Sequence, residues 1–309
     1  MRLNFQTVRK GKGEIATMGK FRLIALIPPF FLDCVVAIGL LISTEDKKPE
    51  FKAVATGFLY GNFIEKVSDK ESRYNVFLVT NRHAFTTLDP KMKTIYIRFN
   101  PEIATTPAKD YPLSVQNPEG GVDWFIHPCS DVDVAVIPMN TPLLRKEGMR
   151  FSYFQSDSHV ADRVKANELG ISEGDGIFVL GFPMGIIGNE RNFTVVRQGS
   201  IARIRDFWAG SSKEFLADTF IFPGNSGGPV VTKPEILGIE GTKSIQSSYL
   251  IGMVTSFIPY HDTAISVQTK RPRITFEENS GLATIVPIDF VKETVREFLL
   301  PPKERKKGC

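Results

Sequence analysis

The sequence predicts an all-β fold with a single helix near its C-terminal end. Short runs of β-branched and aromatic residues recur along the chain, and Gly, Pro, Asn and Asp bound them, which is typical of strands joined by turns. The 20 Pro and 25 Gly among the 309 residues are spread along the chain. No repeat of about 20–50 residues, which would indicate a solenoid or propeller, is present. We therefore expect two β units followed by one helical segment.

The strand-like runs fall into two groups, and the polar, mixed residues 146–172 between them are predicted to be a connection. The first group comprises Cys34–Ser43, Ala53–Tyr60, Tyr74–Thr80, Lys93–Phe99 and Asp133–Met139. The second comprises Ile177–Phe182, Thr194–Arg205, Phe215–Phe222, Val230–Val231 and Leu250–Phe257. The predicted units are therefore 28–145 and 173–300, with a basic extension over 1–27 and a basic tail over 301–309.

The segment after Pro287 predicts a helix. Asp289 can cap its start and Pro301 would end it. The apolar residues between them fall at helical spacing, at Val291, Val295, Phe298 and Leu299. We expect this helix to brace the second β unit.

The apolar stretch Phe21–Ser43 follows basic residues, as a signal peptide or a membrane anchor would. Pro28, Pro29 and Asp33 interrupt it, and no uninterrupted part reaches the roughly 18–20 apolar residues of a spanning helix. We therefore expect Cys34–Ser43 to be the first buried strand, and we favour no membrane anchor. Export or membrane association through this stretch is the alternative.

Charge and cysteine content exclude some classes of protein. The net charge is only +4, and much of the excess lies in the two tails, where a solvated tail is the simpler interpretation. No basic face interleaved with aromatic residues is visible, so no nucleic-acid partner is expected. The three cysteines Cys34, Cys129 and Cys309 cannot form a disulfide framework. This favours a reducing compartment, and we expect a cytoplasmic location.

The segment Phe222–Val231 (FPGNSGGPVV) carries the most specific chemical signal. A serine hydroxyl is a weak nucleophile, so it needs a base within reach and backbone N–H groups that face the developing oxyanion. Glycines around Ser226 reach backbone conformations closed to other residues, and the amides of Gly224 and Ser226 could then form an oxyanion hole. A turn that only reverses the chain is the alternative, but Pro229 and the strand after it favour a nucleophile.

The base should be a histidine, and His83 is the best candidate because it directly follows a buried strand, where a side chain is held rigidly. The other three histidines, His127, His159 and His261, are predicted to lie in polar loops.

The orienting carboxylate should accept a hydrogen bond from the far nitrogen of that imidazole. Asp133 leads into the strand Val-Ala-Val-Ile and is the preferred candidate, whereas Asp131 is the alternative and is expected to be an exposed loop residue.

At these positions the chain resembles the chymotrypsin-like serine proteases, whose catalytic residues occur in the order His, Asp, Ser. The details look most like the HtrA/Do-like branch of that family. The similar segments, which span about residues 34–300, are Thr80–Ala84 (TNRHA), Asp133–Ile137 (DVAVI), Gly174–Gly185 (GDGIFVLGFPMG), Gln198–Ile201 (QGSI), Asp218–Pro229 (DTFIFPGNSGGP) and Gly281–Pro287 (GLATIVP). Members of this branch often carry PDZ modules, and none is expected here.

The resemblance implies a specific architecture and activity. It implies two perpendicular six-stranded antiparallel β-barrels, with His83 and Asp133 on the first, Ser226 on the second, and a polypeptide substrate in the cleft between them. It also implies a serine endopeptidase that works through an acyl-enzyme and needs no metal or organic cofactor. The alternative is a catalytically silent peptide-binding module on the same fold.

The resemblance also implies where the substrate side chain would bind. Phe220 would line the base of the pocket, and Val254, Thr255 and Ser256 would form the opposite wall. This predicts cleavage after small or medium apolar residues, with Asp218 as the residue that could change that preference. The polar segment Thr263–Ser280 is longer than in compact members, and it could either cover one edge of the pocket or be disordered.

Overall fold

Two β-sheets, one from each half of the sequence, contain the strands of the described residues. The computed structural model describes residues 6–9, 26–43, 49–69, 71–86, 94–115, 124–235, 243–306 and 308. The first-half strands are β1 (Gln6–Arg9), β2 (Val35–Ile42), β3 (Glu50–Ser68), β4 (Glu71–Thr80), β5 (Thr94–Pro101), β6 (Lys109–Ser114), β7 (Phe125–Ile126), β8 (Ala135–Pro138), β9 (Met149–Arg150) and β10 (Phe154–Gln155). The second-half strands are β11 (Gly176–Gly181), β12 (Val195–Arg203), β13 (Phe215–Asp218), β14 (Pro229–Thr232), β15 (Leu250–Ile265) and β16 (Pro272–Pro287).

Short helices connect these strands, and one longer helix follows the last of them. The helices are α1 (Pro29–Leu32), α2 (His83–Thr86), α3 (Thr141–Lys146), α4 (Arg163–Leu169), α5 (Arg205–Trp208) and α6 (Ile288–Leu299). The predicted C-terminal helix is therefore confirmed as α6. Asp289 lies inside its first turn rather than at its cap, and the Asp289 carboxylate accepts a hydrogen bond from the first amide of α4, at Arg163.

The second half forms a closed six-stranded barrel in the order β11-β12-β13-β16-β15-β14, with β14 pairing back to β11. This agrees with the predicted second barrel. Its buried apolar side chains form an interior core, of which Val179, Ile201 and Ile285 are each at most 1% exposed. The barrel has no edge between these strands, so it provides a rigid base for the loops at its end.

The first half differs from the closed six-stranded barrel that was predicted. Its described strands follow the order β6-β5-β2-β3-β4-β8-β7, with β1 on β4, β9 on β5 and β10 on β3. Closure needs hydrogen bonds between the first and last strands, and no described pairing joins β6 to β7. The described part of this sheet is therefore an open, curled half-barrel.

Strand β2 confirms the predicted first buried strand, because Val36, Ala37 and Ile38 are at most 2% exposed. The residues Phe21–Ala25 of the same apolar stretch lie outside the described residues. None of the helices in the described ranges is both long and apolar enough to cross a membrane.

A shared core joins the two sheets. Phe58 and Phe77 of the first sheet are completely buried together with Phe182, Val231 and Met253 of the second half. Helix α6 adds to this core through Val291 and Val295, which are also completely buried. Burial of each large apolar side chain contributes about 1.5–3 kcal/mol, so this core fixes the two halves against each other.

The basic tail is not simply solvated. Arg305 donates to the carbonyls of Leu300 and Phe298, and its guanidinium lies 5.2 Å from the centre of the Phe125 ring. Lys306 pairs with Glu293 at 2.8 Å. The described part of the tail therefore packs on α6 and on β7 of the first sheet.

The cysteines do not match the simplest expectation. Cys34 is free and buried, but Cys129 is disulfide-bonded. The cytoplasmic location therefore stays a prediction.

Strands β15 and β16 continue well beyond the barrel as a two-stranded hairpin, here called the arm (residues 259–279). Their pairing runs from Pro259 opposite Asn279 to Ile265 opposite Pro272. The segment Thr263–Ser280, whose order the sequence left open, is thus ordered and lies mostly in strand β16 and the tip of the arm.

Candidate active site

His83 stands at the end of a buried strand, as the sequence predicted. Strand β4 ends at Thr80, the chain turns at Asn81 and Arg82, and the single-turn helix α2 begins at His83. Asn81 is completely buried, and its side-chain amide donates to the backbone carbonyl of Asp133 at 2.9 Å. The turn that carries His83 is therefore tied to the segment that carries Asp133.

His83 and Asp133 form a doubly hydrogen-bonded pair. The His83 ring nitrogen Nδ1 lies 2.5 Å from Oδ2 of Asp133, and the His83 backbone amide donates to Oδ1 of Asp133 at 3.0 Å. The imidazole side chain is 37% exposed, whereas the carboxylate is only 15% exposed. The carboxylate is thus held inside the protein while part of the imidazole remains open to the surface.

The surroundings of Asp133 keep it ionised. Burial by itself would raise the pKa of Asp133, but the hydrogen bonds and charge of His83, together with the charge of Arg82, outweigh burial and hold the pKa below its usual value. An ionised carboxylate in this position fixes the Nδ1–H tautomer of the imidazole, which leaves Nε2 unprotonated, as a general base requires.

Asp131, the alternative carboxylate, lies elsewhere. It is exposed, and its carboxylate pairs with Lys213 at 3.1 Å and accepts a hydrogen bond from Ser130. Of the two candidate acids, the one that leads into a strand, Asp133, is therefore the one that contacts His83, and Asp131 is exposed as expected.

Ser226 lies in a tight loop that several backbone hydrogen bonds define. Asn225 is 1% exposed, and its side-chain oxygen accepts from the Phe222 amide at 3.0 Å. The amide of Gly228 donates to the Asn225 carbonyl at 2.8 Å. Gly224 and Gly227 have φ of +98° and +81°, which favour glycine. A Cβ on Gly227 would lie 2.2 Å from the carbonyl oxygen of Thr56, so this position also excludes a side chain.

Thr56, which the sequence did not single out, joins the Ser226 loop to the first sheet. Its amide donates to the Ser226 carbonyl at 2.9 Å, and its hydroxyl donates to the Gly224 carbonyl at 2.6 Å. The same hydroxyl accepts from the Phe182 amide at 3.1 Å. Thr56 is completely buried, so these bonds form without competition from water.

Thr80 completes this connection, because its hydroxyl donates to the Thr56 carbonyl at 2.8 Å. Gly227 packs directly on Thr80, since a Cβ at Gly227 would meet the Thr80 hydroxyl oxygen at 2.4 Å. The strand that ends three residues before His83 therefore contacts the residue after Ser226. The structure thus brings the His83 turn and the Ser226 loop to the same junction between the two halves.

The amides of Gly224 and Ser226, the predicted oxyanion hole, make no hydrogen bond to any residue in the described ranges. The carbonyls of the same two residues are both held by Thr56. Amides without an internal acceptor are available to bind an oxyanion, and the role of these two amides as an oxyanion hole stays a prediction.

The Ser226 hydroxyl donates to the Thr255 carbonyl at 3.2 Å. Strand β15 is also bonded to this loop at the next residues, because the Gly227 amide donates to the Val254 carbonyl at 2.9 Å. Thr255 therefore lies directly beside the candidate nucleophile, at the point where β15 leaves the barrel.

The other predicted substrate-binding residues have different environments. Phe220 is 52% exposed, and its ring lies beside Gly281 at the base of the arm. Ser256 is exposed and shares hydrogen bonds with Thr284, whereas the Val254 side chain is completely buried in the barrel core. Substrate binding by these residues stays a prediction, and Asp218 is exposed at the end of β13.

The remaining histidines do not form a comparable site. His127, predicted in a polar loop, is instead buried, with Nδ1 accepting from the Cys129 amide and Nε2 lying 3.5 Å from Glu293. His159 accepts from the Gln155 amide, and His261 lies on the exposed arm. No cluster of His, Cys, Asp and Glu suited to a metal ion occurs in the part of the chain that the structure describes.

The chain matches no family model and no curated protein. The fold and the geometry of these residues therefore carry the functional conclusion.

Proposed function

We propose that this protein is a serine endopeptidase with Ser226 as nucleophile, His83 as general base and Asp133 as the carboxylate that orients His83. The observation that carries the proposal is the 2.5 Å contact between His83 and Asp133 at the junction where Thr56 and Thr80 hold the Ser226 loop. The closed barrel and the curled sheet are compatible with the chymotrypsin-like double barrel, and the motif resemblance favours its HtrA/Do-like branch.

The residues would act in two half-reactions. The Ser226 oxygen attacks the scissile carbonyl carbon while Nε2 of His83 takes the hydroxyl proton, and the amides of Gly224 and Ser226 bind the oxyanion. His83 then returns the proton to the leaving amine, and an acyl-enzyme remains. Water attacks this ester with His83 again as base, and the serine is regenerated.

The carboxylate of Asp133 contributes by orientation and charge. It holds the Nδ1–H of His83 and stabilises the imidazolium that forms when Nε2 takes the proton. Its lowered pKa keeps it ionised across the neutral range. The substrate would be a polypeptide, and we propose small or medium apolar residues before the cut because Phe220 stands where trypsin-like enzymes with basic specificity have an acid.

Labelling with a serine-reactive phosphonate tests the proposal. The parent protein should be labelled, and Ser226→Ala and His83→Ala should not. Ser211→Ala, which removes an exposed serine near α5, is the matched control and should label like the parent. Labelling that survives in Ser226→Ala would contradict the assigned nucleophile.

A folded parent protein that is not labelled, but binds extended peptides, would instead support the silent peptide-binding module. The hydrogen bond from the Ser226 hydroxyl to the Thr255 carbonyl is the observation that favours this alternative, because the hydroxyl proton is directed at a carbonyl oxygen in this structure.

A further inference from the structure

The loop between β11 and β12 (residues 182–194) contains a residue with a strained backbone. Met184 has a φ of +55°, and among the described residues the only other non-glycine residue with a positive φ is Lys270, at the tip of the arm. This left-handed conformation is unfavourable for a residue with a Cβ atom. The Met184 side chain is 60% exposed, so its burial does not explain the conformation. The explanation therefore lies in the backbone of Met184.

The backbone amide of Met184 is bonded to the loop that carries Ser226. It donates to the Pro223 carbonyl at 2.6 Å, and Pro223 directly precedes Gly224, whose amide is one of the two predicted oxyanion donors. Gly224 also packs on the 182–194 loop, since a Cβ on Gly224 would lie 2.4 Å from the Phe182 carbonyl oxygen and 3.3 Å from the Met184 nitrogen. The strained residue therefore contacts the Ser226 loop beside a predicted oxyanion donor.

A carbonyl that is held in place orients the amide of the same peptide group. A peptide group is planar, and in the trans form its C=O and N–H point in opposite directions. The Pro223 carbonyl and the Gly224 N–H belong to one such group, so the hydrogen bond from Met184 fixes the direction of the Gly224 N–H. The Ser226 N–H is fixed in the same way, because the Gly228 amide donates to the Asn225 carbonyl at 2.8 Å. One predicted donor is thus oriented from within the Ser226 loop, and the other is oriented by Met184.

The 182–194 loop is held at both ends, which accounts for the persistence of the strain. Thr56 accepts a hydrogen bond from the first amide of the loop. Near the far end, the Asn192 amide donates to the side-chain oxygen of Asn100, and the side-chain amide of Asn100 donates to the Asn192 carbonyl, both at 2.8 Å. The Arg191 guanidinium donates to three backbone carbonyls within residues 101–106. A strained conformation persists where the surrounding structure determines it in this way, and such residues are frequent at functional sites.

We propose that Met184 is a positioning residue for the oxyanion hole, and that its left-handed conformation serves to direct its amide at the Pro223 carbonyl. Without this hydrogen bond, the peptide group between Pro223 and Gly224 can rotate and turn the Gly224 N–H away from the oxyanion. The Met184 side chain has no part in this role. The proposal rests on the proposed peptidase function, to which it adds a residue outside the triad and outside the Ser226 loop.

Kinetics of three substitutions at Met184 test the proposal, with a fluorogenic tetrapeptide that has valine before the cut. Met184→Pro removes the amide hydrogen and cannot adopt a positive φ. It should lower kcat by about 100-fold with KM within about threefold of the parent, because removal of one oxyanion donor costs about 10²–10³-fold in kcat. Met184→Val keeps the amide hydrogen but disfavours the conformation, and should lower kcat by about tenfold. Met184→Gly keeps the amide hydrogen and adopts the conformation readily, so its kcat should stay within about threefold of the parent.

Lys270 provides the matched control. Its φ is +54° and its amide donates to the Ser266 carbonyl at 2.8 Å, so Lys270→Pro removes the same kind of hydrogen bond from the other strained residue. This variant should hydrolyse the tetrapeptide like the parent.

The same tetrapeptide as an aldehyde provides a second measurement. The adduct with Ser226 places the aldehyde oxygen in the predicted oxyanion hole, as a transition-state analogue does. The inhibition constant of the aldehyde should therefore rise in Met184→Pro by about the factor by which kcat falls.

Three outcomes would overturn the role of Met184 in a parent that is active and is labelled by the phosphonate. They are an unchanged kcat in Met184→Pro, an equal loss of kcat in Met184→Gly, and a loss that appears in KM alone. A parent that neither hydrolyses peptides nor is labelled would overturn the peptidase function and this proposal together. The two failures are therefore distinguishable.

Discussion

Two histidines in the described chain lie beside a carboxylate, and their surroundings differ. The His83 side chain is 37% exposed and contacts Asp133 at 2.5 Å, whereas the His127 side chain is 5% exposed and lies 3.5 Å from Glu293. In the first pair the carboxylate is the more buried partner, whereas in the second pair the imidazole is the more buried partner. The first arrangement leaves an imidazole edge for a substrate, and the second encloses the imidazole.

The other ring nitrogen of His127, Nδ1, is enclosed as well, which also distinguishes His127 from His83. Nδ1 of His127 accepts a hydrogen bond from the Cys129 amide, and its ring packs edge-on against Phe290 with the centres 5.6 Å apart. Both nitrogens of His127 are thus directed into the protein. A histidine–carboxylate pair is therefore insufficient for catalysis. The imidazole must also be open on the side where a nucleophile stands.

Matched substitutions in the two carboxylates should separate the pairs most clearly. We expect Asp133→Asn to lower the rate of peptide hydrolysis by about 10⁴-fold, because the amide favours the wrong imidazole tautomer. Glu293→Gln should change that rate by less than about threefold, since Glu293 pairs with His127 and with Lys306 and makes no described contact with the Ser226 loop. Hydrolysis of a peptide library, followed by mass spectrometry, measures both variants. Equal loss of activity in the two variants would contradict a catalytic role for the His83–Asp133 pair that the His127–Glu293 pair lacks.

Thr56 tests whether the Ser226 loop needs its attachment to the first sheet. We expect Thr56→Val to lower kcat by about 10–100-fold with little change in KM, because the Gly224 carbonyl would lose the hydroxyl that holds this part of the loop and the proposed oxyanion amides in place, whereas the backbone bond to the Ser226 carbonyl would remain. Thr56→Ser keeps that hydroxyl and should recover most of the activity. A rise in KM alone, or no recovery in Thr56→Ser, would argue against a positioning role.

The sequence predicted the residues whose chemistry leaves a short pattern. Ser226 is flanked by glycines that its loop requires, and His83 and Asp133 each adjoin a buried strand as the local pattern predicted, whereas their catalytic roles stay a prediction. Thr56 had no such signal, because it is one threonine within a strand, and its role depends on contact with Gly224 and Ser226, which are far from it in the sequence. Contacts of that kind depend on how the two halves pack, which periodicity does not report.

The arm and the first sheet show where strand patterns are weaker. Strand β3 continues to Ser68, beyond the predicted end at Tyr60, because paired strands can extend into solvent without an apolar run. Alternation at Tyr260, Ala264, Ile274 and Phe276 could have indicated the arm, but charged residues between them made it resemble a loop. A barrel closes only where the last strand of the sheet pairs with the first. In the first sheet the last strand is β7, which has only two residues.

The smallest expected effect is on the pH dependence of stability, and it concerns His127 in the His127–Glu293 pair. Burial lowers the pKa of His127, and the charge of Lys213 lowers it further, although Glu293 opposes both. In the unfolded chain, His127 takes up a proton near its usual pKa of about 6.5, whereas in the folded chain its pKa is lower and it takes up the proton less readily. Protonation therefore favours the unfolded chain. The contribution of His127 to stability is complete above about pH 6.5 and falls as the pH drops below that value. His127→Asn keeps an acceptor for the Cys129 amide but does not titrate.

We therefore expect the free energy of unfolding of the parent to fall more steeply than that of His127→Asn as the pH is lowered from about 7.5 to about 5.5. Urea unfolding at several pH values within this range measures the difference, and other titrating groups cancel because both proteins share them. Parallel curves would show that His127 is protonated as easily in the folded chain as in the unfolded chain. The burial that distinguishes His127 from His83 would then have no electrostatic consequence. The difference between the two histidines would rest only on the position of His83 relative to the Ser226 loop.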